Sequence, residues 1–588
     1  MRRRRQTAAA PERDRRSVRL LGLAIFAAAL GARLLFWQAT PDRAWGWTAY
    51  FKGDAPLWLD WARAIELGAR FELGLPIHPP GAAYLVALLW NGQASGIPFL
   101  RFAWAAIGAL VPLVVFLAAA RSFGLSVAAF AGCWTALSSG LLVLSTSINN
   151  ETPYLALAVA SVALTGDLRD RPPRGRLALW SAVNGVACLF RVEHVLFWIL
   201  AFAFLAAGWV RRSGSGAFRW AAASLFFFAL PLVPWHLSAW RAIRRFNTEP
   251  RIMTPVEERA VSGVERRLAG LTWTPEALRE RDRLPAFLRR TASAFVLATV
   301  AHRGRGEVRA EDFAILEQAF GYRPRPLDRF PFVSSYGPLN FALANHAGAT
   351  GGFDRSPLEE PPPLTGGAAT YPTFLIQGLP PADLTFVYPP HLKLFNEGGS
   401  IGWRWIREHP GAFARLGAKK LAIFWSGAAS GLTGWNLPMG LSGPRRRVDM
   451  VSADADLPAV VWRSAIGIVC LTGIVLAGRR AALVPWLLLL ATRLAVTLLF
   501  FGYARQGAMA IPIVAILLAL AVERVLHVRP SRLAFAVLAV GVTLEAARFV
   551  SKPQVRLDGA RIGRSDPHPP DEHDAHHLEV NEGSPGRR

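Results

Sequence analysis

The sequence predicts an all-α polytopic membrane protein of about 11–12 spanning helices with a large external loop domain of mixed or irregular structure. Three observations predict this. Hydrophobic residues make up 52% of the 588, and they fall in blocks rather than in helical stripes, many approaching the ~20 residues that cross a bilayer. Only 18% of residues are charged, and the mean hydropathy is +0.27, outside the range of ordinary soluble chains. The net charge of +25 is carried by arginines crowded into the N-terminal tail and into short loops that alternate along the chain. That is the positive-inside pattern, and it argues against a nucleic-acid-binding surface.

The elements follow in order. Residues 1–19, with Arg2 to Arg5, Arg13, Arg15, Arg16 and Arg19, read as a basic cytoplasmic tail. They show no small-residue cleavage site, so the first apolar run is expected to be retained rather than removed. Residues 20–240 form an N-terminal transmembrane region, with clear apolar runs at 20–37, 102–120, 125–144 and 220–240 and a first external loop at 38–98. The apolar stretch 177–210 is too long for one crossing and suits a hairpin, with the charges of "FRVEH", Phe190 to His194, at its external tip. Residues 241–411 contain no spanning run and make an external loop domain. Its first half is charged and helix-like ("VEERAVSGVERRLAGL"), and its second is rich in Gly and Pro and reads as irregular. Residues 412–462 are expected to enter the interface without crossing, 463–549 to form a C-terminal transmembrane region, and 550–588 a disordered tail. In that tail His568, His573, His576 and His577 read as solvated low complexity rather than a metal site. Cys133, Cys188 and Cys470 all lie in apolar runs, so no disulfide framework or zinc site is visible.

Most of the unusual polar groups land at the external ends of spans: Asp54, His78, Glu151, Arg191, Glu193 and Arg505, with Arg493 inside an apolar run as the exception. Asp54 in "GDAPLW" is a good helix cap. A partly desolvated carboxylate there also suits a base that takes a proton from a hydroxyl. His78 in "HPPG" is placed at the cap of the next short helix, with Pro79-Pro80 as its start. Glu151 suits the first turn of a span, and equally the orienting of an acceptor or, with Asp54, the holding of a divalent cation. Arg191 and Arg505, bracketed by apolar spans, suit a phosphate gripped by two parallel hydrogen bonds at headgroup depth, as Lys420 does less specifically. Equally, Arg191 suits a pair with Glu193 two residues on or snorkelling, and Arg505 suits membrane anchoring.

The order of short motifs resembles the polytopic glycosyltransferases of the C-type superfamily, among them the bacterial relatives of protein O-mannosyltransferases and lipid A aminoarabinose transferases. "GDAPLWLDWARAI" followed by "HPPGAAYLVALLW" resembles the family's first external loop, and "LSTSINNETPYLALAVASVAL" the segment with its second acidic position. "GVACLFRVEHVLFW" is similar to its Gly-x-x-x-Leu-x-Arg-x-Glu pattern, and "PLVPWHLSAWR" to the Pro-Trp that opens its large loop. "IREHPGAFARLGAKKLAIFW" and "FFGYARQGAMAIPIVAILLA" resemble its later segments, the second keeping Tyr503 and Arg505. The loop sequence "GPLNFALANHAGATGGFD" departs from the family's asparagine pattern.

The resemblance implies an inverting transfer of a sugar from a polyprenyl-phosphate-linked donor to a glycan, lipid or protein acceptor. It places the chain in a bacterial inner membrane, with the N-terminus cytoplasmic and the reaction on the external face. It implies Asp54 as general base and Glu151 as acceptor-orienting, with Arg505, Arg191, Tyr503 and Lys420 toward the donor phosphate and His78 and Glu193 as further site candidates. Metal dependence stays open, no cofactor is certain, and a divalent cation is allowed. Two other readings compete: a transporter or lipid flippase, which would place functional charges inside spans, and an inactive relative that only binds glycans.

Overall fold

The computed structural model describes residues 12–39, 54–66, 78–90, 92–169, 172–214, 216–250, 253, 255–327, 332–353, 357–358, 389–433, 457–478, 480–525 and 530–550. The tail histidines, the residues just before Asp54 and most of 354–388 lie outside these. Contacts divide the chain into two compact units, one from residues 1–69, 79–232 and 417–566, the other from 70–78, 233–416 and 567–588.

The chain opens with α1 (Glu12–Ala39), α2 (Asp54–Glu66), α3 (Gly81–Leu89), α4 (Ile97–Ser122), α5 (Leu125–Leu137), α6 (Ser139–Thr146), α7 (Glu151–Thr165), α8 (Arg174–Phe190), α9 (His194–Ser213) and α10 (Gly216–Ala229). Then come α11 (Val233–Thr248), α12 (Pro255–Arg267), α13 (Pro275–Arg283), α14 (Ala286–His302), α15 (Ala314–Phe320), α16 (Tyr336–Ala344) and α17 (Pro389–Glu408). It ends with α18 (Pro410–Ala428), α19 (Leu457–Ala477), α20 (Val484–Leu499), α21 (Ala504–Ala508), α22 (Ile511–Val525) and α23 (Pro530–Val550).

Among the described residues of the first unit, six helical stretches are long and apolar enough to cross a membrane: Arg16–Gln38, Ile97–Ser122, His194–Arg212, Ala459–Ala477, Ala481–Leu499 and Pro530–Ala547. The other apolar runs of this unit fold as shorter helices that rise ~12–25 Å, less than the ~30 Å hydrocarbon layer. Helices α8 and α9 are the arms of the hairpin expected at 177–210, with the break at Arg191–Glu193. By contrast, the run at 125–144, expected as one span, is broken at Ser138, whose backbone is extended. The break is held from outside: Ser138 bridges Leu432, the Ser139 N–H donates to the Gly431 carbonyl (2.9 Å), and the Thr433 N–H to the Leu137 carbonyl (2.6 Å). A helix can open among apolar neighbours only where such partners meet its freed backbone groups.

Helix α22 is the centre of this unit, with every residue from Ile511 to Ala521 buried. Peripheral α19 instead exposes Ile468, Leu471 and Val475, the pattern of a face meant for lipid. Two further arginines are buried in the spans, though the sequence reading singled out only Arg493. Arg33 donates from Nη1 to the carbonyls of Ala29 (2.9 Å) and Ala136 (3.1 Å). Arg101 donates from Nε to the Thr146 carbonyl (3.2 Å), its guanidinium 4.6 Å from the Trp37 ring centre. Cys133, Cys188 and Cys470 are free and buried.

The described part of the second unit is mostly helical. A parallel ladder of two residue pairs joins β1 (Thr272–Trp273) to β2 (Glu307–Val308) over a core that includes Leu284, Phe295, Val296, Val308, Phe313 and Leu316. The region read as irregular contains α16 and α17, which pack closely: a Cβ on Gly398 would lie 2.3 Å from the Pro338 carbonyl oxygen. The prolines of "PPHLK" open α17 rather than interrupt it, since the first turn of a helix does not use their missing N–H.

Candidate active site

Glu151 stands in the first turn of α7, where the helix dipole favours a carboxylate. The turn is shaped by Asn149, whose Oδ1 accepts from the Thr152 N–H (2.9 Å) while its amide donates to the carbonyls of Leu144 (2.6 Å) and Ser147 (2.9 Å). Helix α8 ends beside it, the Asn150 amide reaching the Phe190 carbonyl at 3.5 Å. Arg191 and Glu193 occupy the three-residue break before α9.

These groups form one network. Arg191 donates from Nη1 to Glu151 Oε1 (2.9 Å) and from Nε to Glu193 Oε1 (2.6 Å). Arg493, about 9 Å back from the C-terminal end of α20 at 1.5 Å per residue, donates from Nη1 to the same Glu193 oxygen (3.2 Å). Arg505 Nε lies 3.5 Å from Glu151 Oε1, and its guanidinium sits 4.7 Å from the Tyr503 ring centre. Glu151 and Arg493 are each 1% exposed, and Glu193 and Arg505 are 21% and 20% exposed. Burial alone would raise the Glu193 carboxyl, but Arg191 and Arg493 outweigh it and hold it at about 2. Burial would lower Arg191, yet Glu193 and Glu151 outweigh it and raise it above its ordinary value.

Tyr154 lies beneath two of the arginines, its ring centre 5.0 Å from the Arg493 guanidinium and 6.0 Å from that of Arg191. Its hydroxyl meets His194 Nδ1 at 3.1 Å, and His194 Nε2 meets Asn184 Oδ1 at 2.9 Å. The Asn184 amide donates to the Trp180 carbonyl (2.7 Å), which leaves Oδ1 as the acceptor for His194 and for the Ser161 hydroxyl (2.9 Å). The platform under the arginines is therefore itself fixed.

Arg505 is placed by glycines. A Cβ on Gly427 would lie 1.7 Å from the Ala504 carbonyl oxygen, one on Gly507 1.7 Å from that of Phe424, and one on Gly502 2.2 Å from that of Lys420. Backbone thus meets backbone between α18 and residues 502–508, a contact that only glycine permits.

The structure brings Glu151, Arg191, Glu193, Arg505 and Tyr503 together. Lys420 is fully buried and donates to the Leu498 carbonyl (3.2 Å). Asp54 is the first residue of α2; its side chain is not among those described. His78 belongs to the second unit, its ring centre 4.5 Å from that of Tyr336. The helix after it starts at Gly81 with Pro80 at the cap, not at Pro79 as the sequence suggested. A Cβ on Gly81 would lie 2.8 Å from the Phe190 ring, so its first turn packs closely against the end of α8. Arg493, Tyr154, His194 and Asn184 were not read as site residues. A lone arginine in an apolar run was the signal, because such a charge needs a partner. Among the described residues no group of three or more His, Cys, Asp or Glu side chains is placed to hold a metal ion.

No protein-family model matches the chain, and no curated protein matches it. Among solved structures it is similar to crystal structures of ArnT from Cupriavidus metallidurans. One is bound to undecaprenyl phosphate and one is in the apo state, each at 14% identity and a TM-score of 0.30. The matches cover 85% of this chain and 77% and 76% of those chains.

Proposed function

We propose that the protein is a membrane glycosyltransferase that moves a sugar from a polyprenyl-phosphate-linked donor to a hydroxyl acceptor on the external face of the membrane, with inversion. The observation that supports it is the arginine–glutamate network where α7, α8, α9, α20 and α21 come together. Guanidinium groups fixed by carboxylates and aromatic rings in a water-poor setting are preorganised for an anion and need little rearrangement when charge develops. The motif order around Asp54 supplies the other half of the reading.

In the proposed reaction Asp54 accepts the proton of the acceptor hydroxyl as its oxygen attacks C1 from the face opposite the phosphate. The bond from C1 to the phosphate oxygen breaks, and the polyprenyl phosphate departs with the electron pair. The arginines stabilise the negative charge gathering on its oxygens. Glu151, held by Arg191 and Arg505, acts by setting the position of both. A translocation reading keeps one supporting observation, the buried Arg33, Arg101 and Arg493 within spans. It predicts movement of a substrate with no sugar product.

The test is sugar transfer from a polyprenyl-phosphate donor by the purified protein in lipid. Asp54→Asn is expected to abolish transfer with folding and insertion unchanged, and an unaffected rate would count decisively against the proposal. Arg505→Ala is expected to weaken donor use; normal donor affinity in that variant would remove its role.

A further inference from the structure

We infer that Arg493 is the side chain that grips the lipid phosphate, and that Arg191 and Arg505 are held beside it by carboxylates. The inference rests on the donor reading above and singles out which arginine of that network makes the contact. Glu151 lies between Arg191 (2.9 Å) and Arg505 (3.5 Å), and Glu193 between Arg191 (2.6 Å) and Arg493 (3.2 Å). Among the described residues, three guanidinium groups thus meet around two carboxylates.

Arg493 carries open donors. It is 1% exposed, its Nη1 is committed to Glu193, and neither Nε nor Nη2 has a hydrogen-bond partner among the described residues. Nε and Nη2 make up one edge of the guanidinium, with two parallel N–H bonds. That edge meets two oxygens of a carboxylate or phosphate side-on. The Tyr154 ring, 5.0 Å away, supports one face of the plane; Glu193 closes the opposite corner. What remains suits two oxygens sharing a single negative charge, as in a phosphodiester. Buried donors left without a partner cost ~1–3 kcal/mol each, more on a charged group, so the edge is poised for a ligand.

The experiment uses the full chain in nanodiscs and compares binding of undecaprenyl monophosphate with that of undecaprenol. The deciding variant is the double change Arg493→Gln with Glu193→Gln. It removes both members of one pair, so that neither is left buried without the other, and Arg191 keeps its contact with Glu151. Charged hydrogen bonds are worth ~1.5–3 kcal/mol, so the double variant is expected to bind the monophosphate about 10-fold or more weakly, with undecaprenol binding unchanged. Unchanged monophosphate affinity would overturn the assignment and leave a water molecule as the occupant of that edge. Should the double variant not fold, Arg493→Lys decides, because it keeps the charge and loses the edge. It is expected to weaken monophosphate binding several-fold, and affinity equal to wild type would overturn the assignment. If the wild-type protein binds the two lipids equally, the donor reading fails, and this inference fails with it.

Discussion

Acid should loosen the network through Glu193, and the size of the effect follows from its surroundings. Its carboxyl is held at about 2 against an ordinary 4.5, by Arg191 and Arg493 acting against burial. The folded chain therefore binds this proton less readily than the unfolded chain. The stabilisation is fully present above about pH 4.5 and is lost progressively as the pH falls toward 2. The gap corresponds to about 3 kcal/mol, and its main source is the charge of Arg191 and Arg493, 2.6 and 3.2 Å away, with the Arg191 hydrogen bond adding to it. The perturbation is Glu193→Gln, which removes the titration while keeping the shape. Melting temperatures followed by intrinsic fluorescence in detergent, from pH 7 down to pH 2.5, should fall more steeply for wild type than for the variant. At pH 7 the variant should melt several degrees lower, because Arg493 is left buried with no carboxylate beside it. Parallel acid limbs in the two proteins would refute the reasoning, since the pair would then contribute nothing that titrates.

Gly507→Ala would drive a methyl group into the Phe424 carbonyl oxygen, 1.7 Å from where it would sit. Overpacking costs ~1–3 kcal/mol, so the variant should melt lower and, by displacing Arg505, bind polyprenyl monophosphate more weakly. Wild-type values for both would disprove the close contact. Phe313→Ala in the core of the second unit, where the side chain is fully buried, should destabilise that unit by ~3–5 kcal/mol. Limited proteolysis should then cut residues 255–327 earlier than wild type, and an unchanged cleavage rate would count against that core.

Much of the fold was legible because charge is costly beside lipid. The two charges of "FRVEH" marked the turn between α8 and α9, and the acidic starts at Asp54 and Glu151 coincide with helix beginnings. The break at Ser138 was not legible. Nothing in the apolar run 125–144 announces it, and its cause is a hydrogen-bonded segment at 430–433, roughly 290 residues away. The site divides in the same way. Arg191 and Glu193, two residues apart, could be read as a pair, but Arg493 meets Glu193 across 300 residues. Hydropathy locates helices along the chain and carries no information about which of them pack together. Arg33 escaped notice because a single charge hardly changes the mean hydropathy of its run.

The carbonyl that receives Arg33 has a bearing on biogenesis. Arg33, five residues inside the end of the span Arg16–Gln38, adds to the cost of inserting that helix, by less than the ~2.5–3.5 kcal/mol of an arginine at mid-span. Of its two carbonyl partners, Ala29 lies in its own helix, while Ala136 follows 103 residues later. Until the ribosome has made α5, the first helix must rest against the translocon or draw water toward its guanidinium. The nascent chain should therefore anchor securely only once that later segment has emerged.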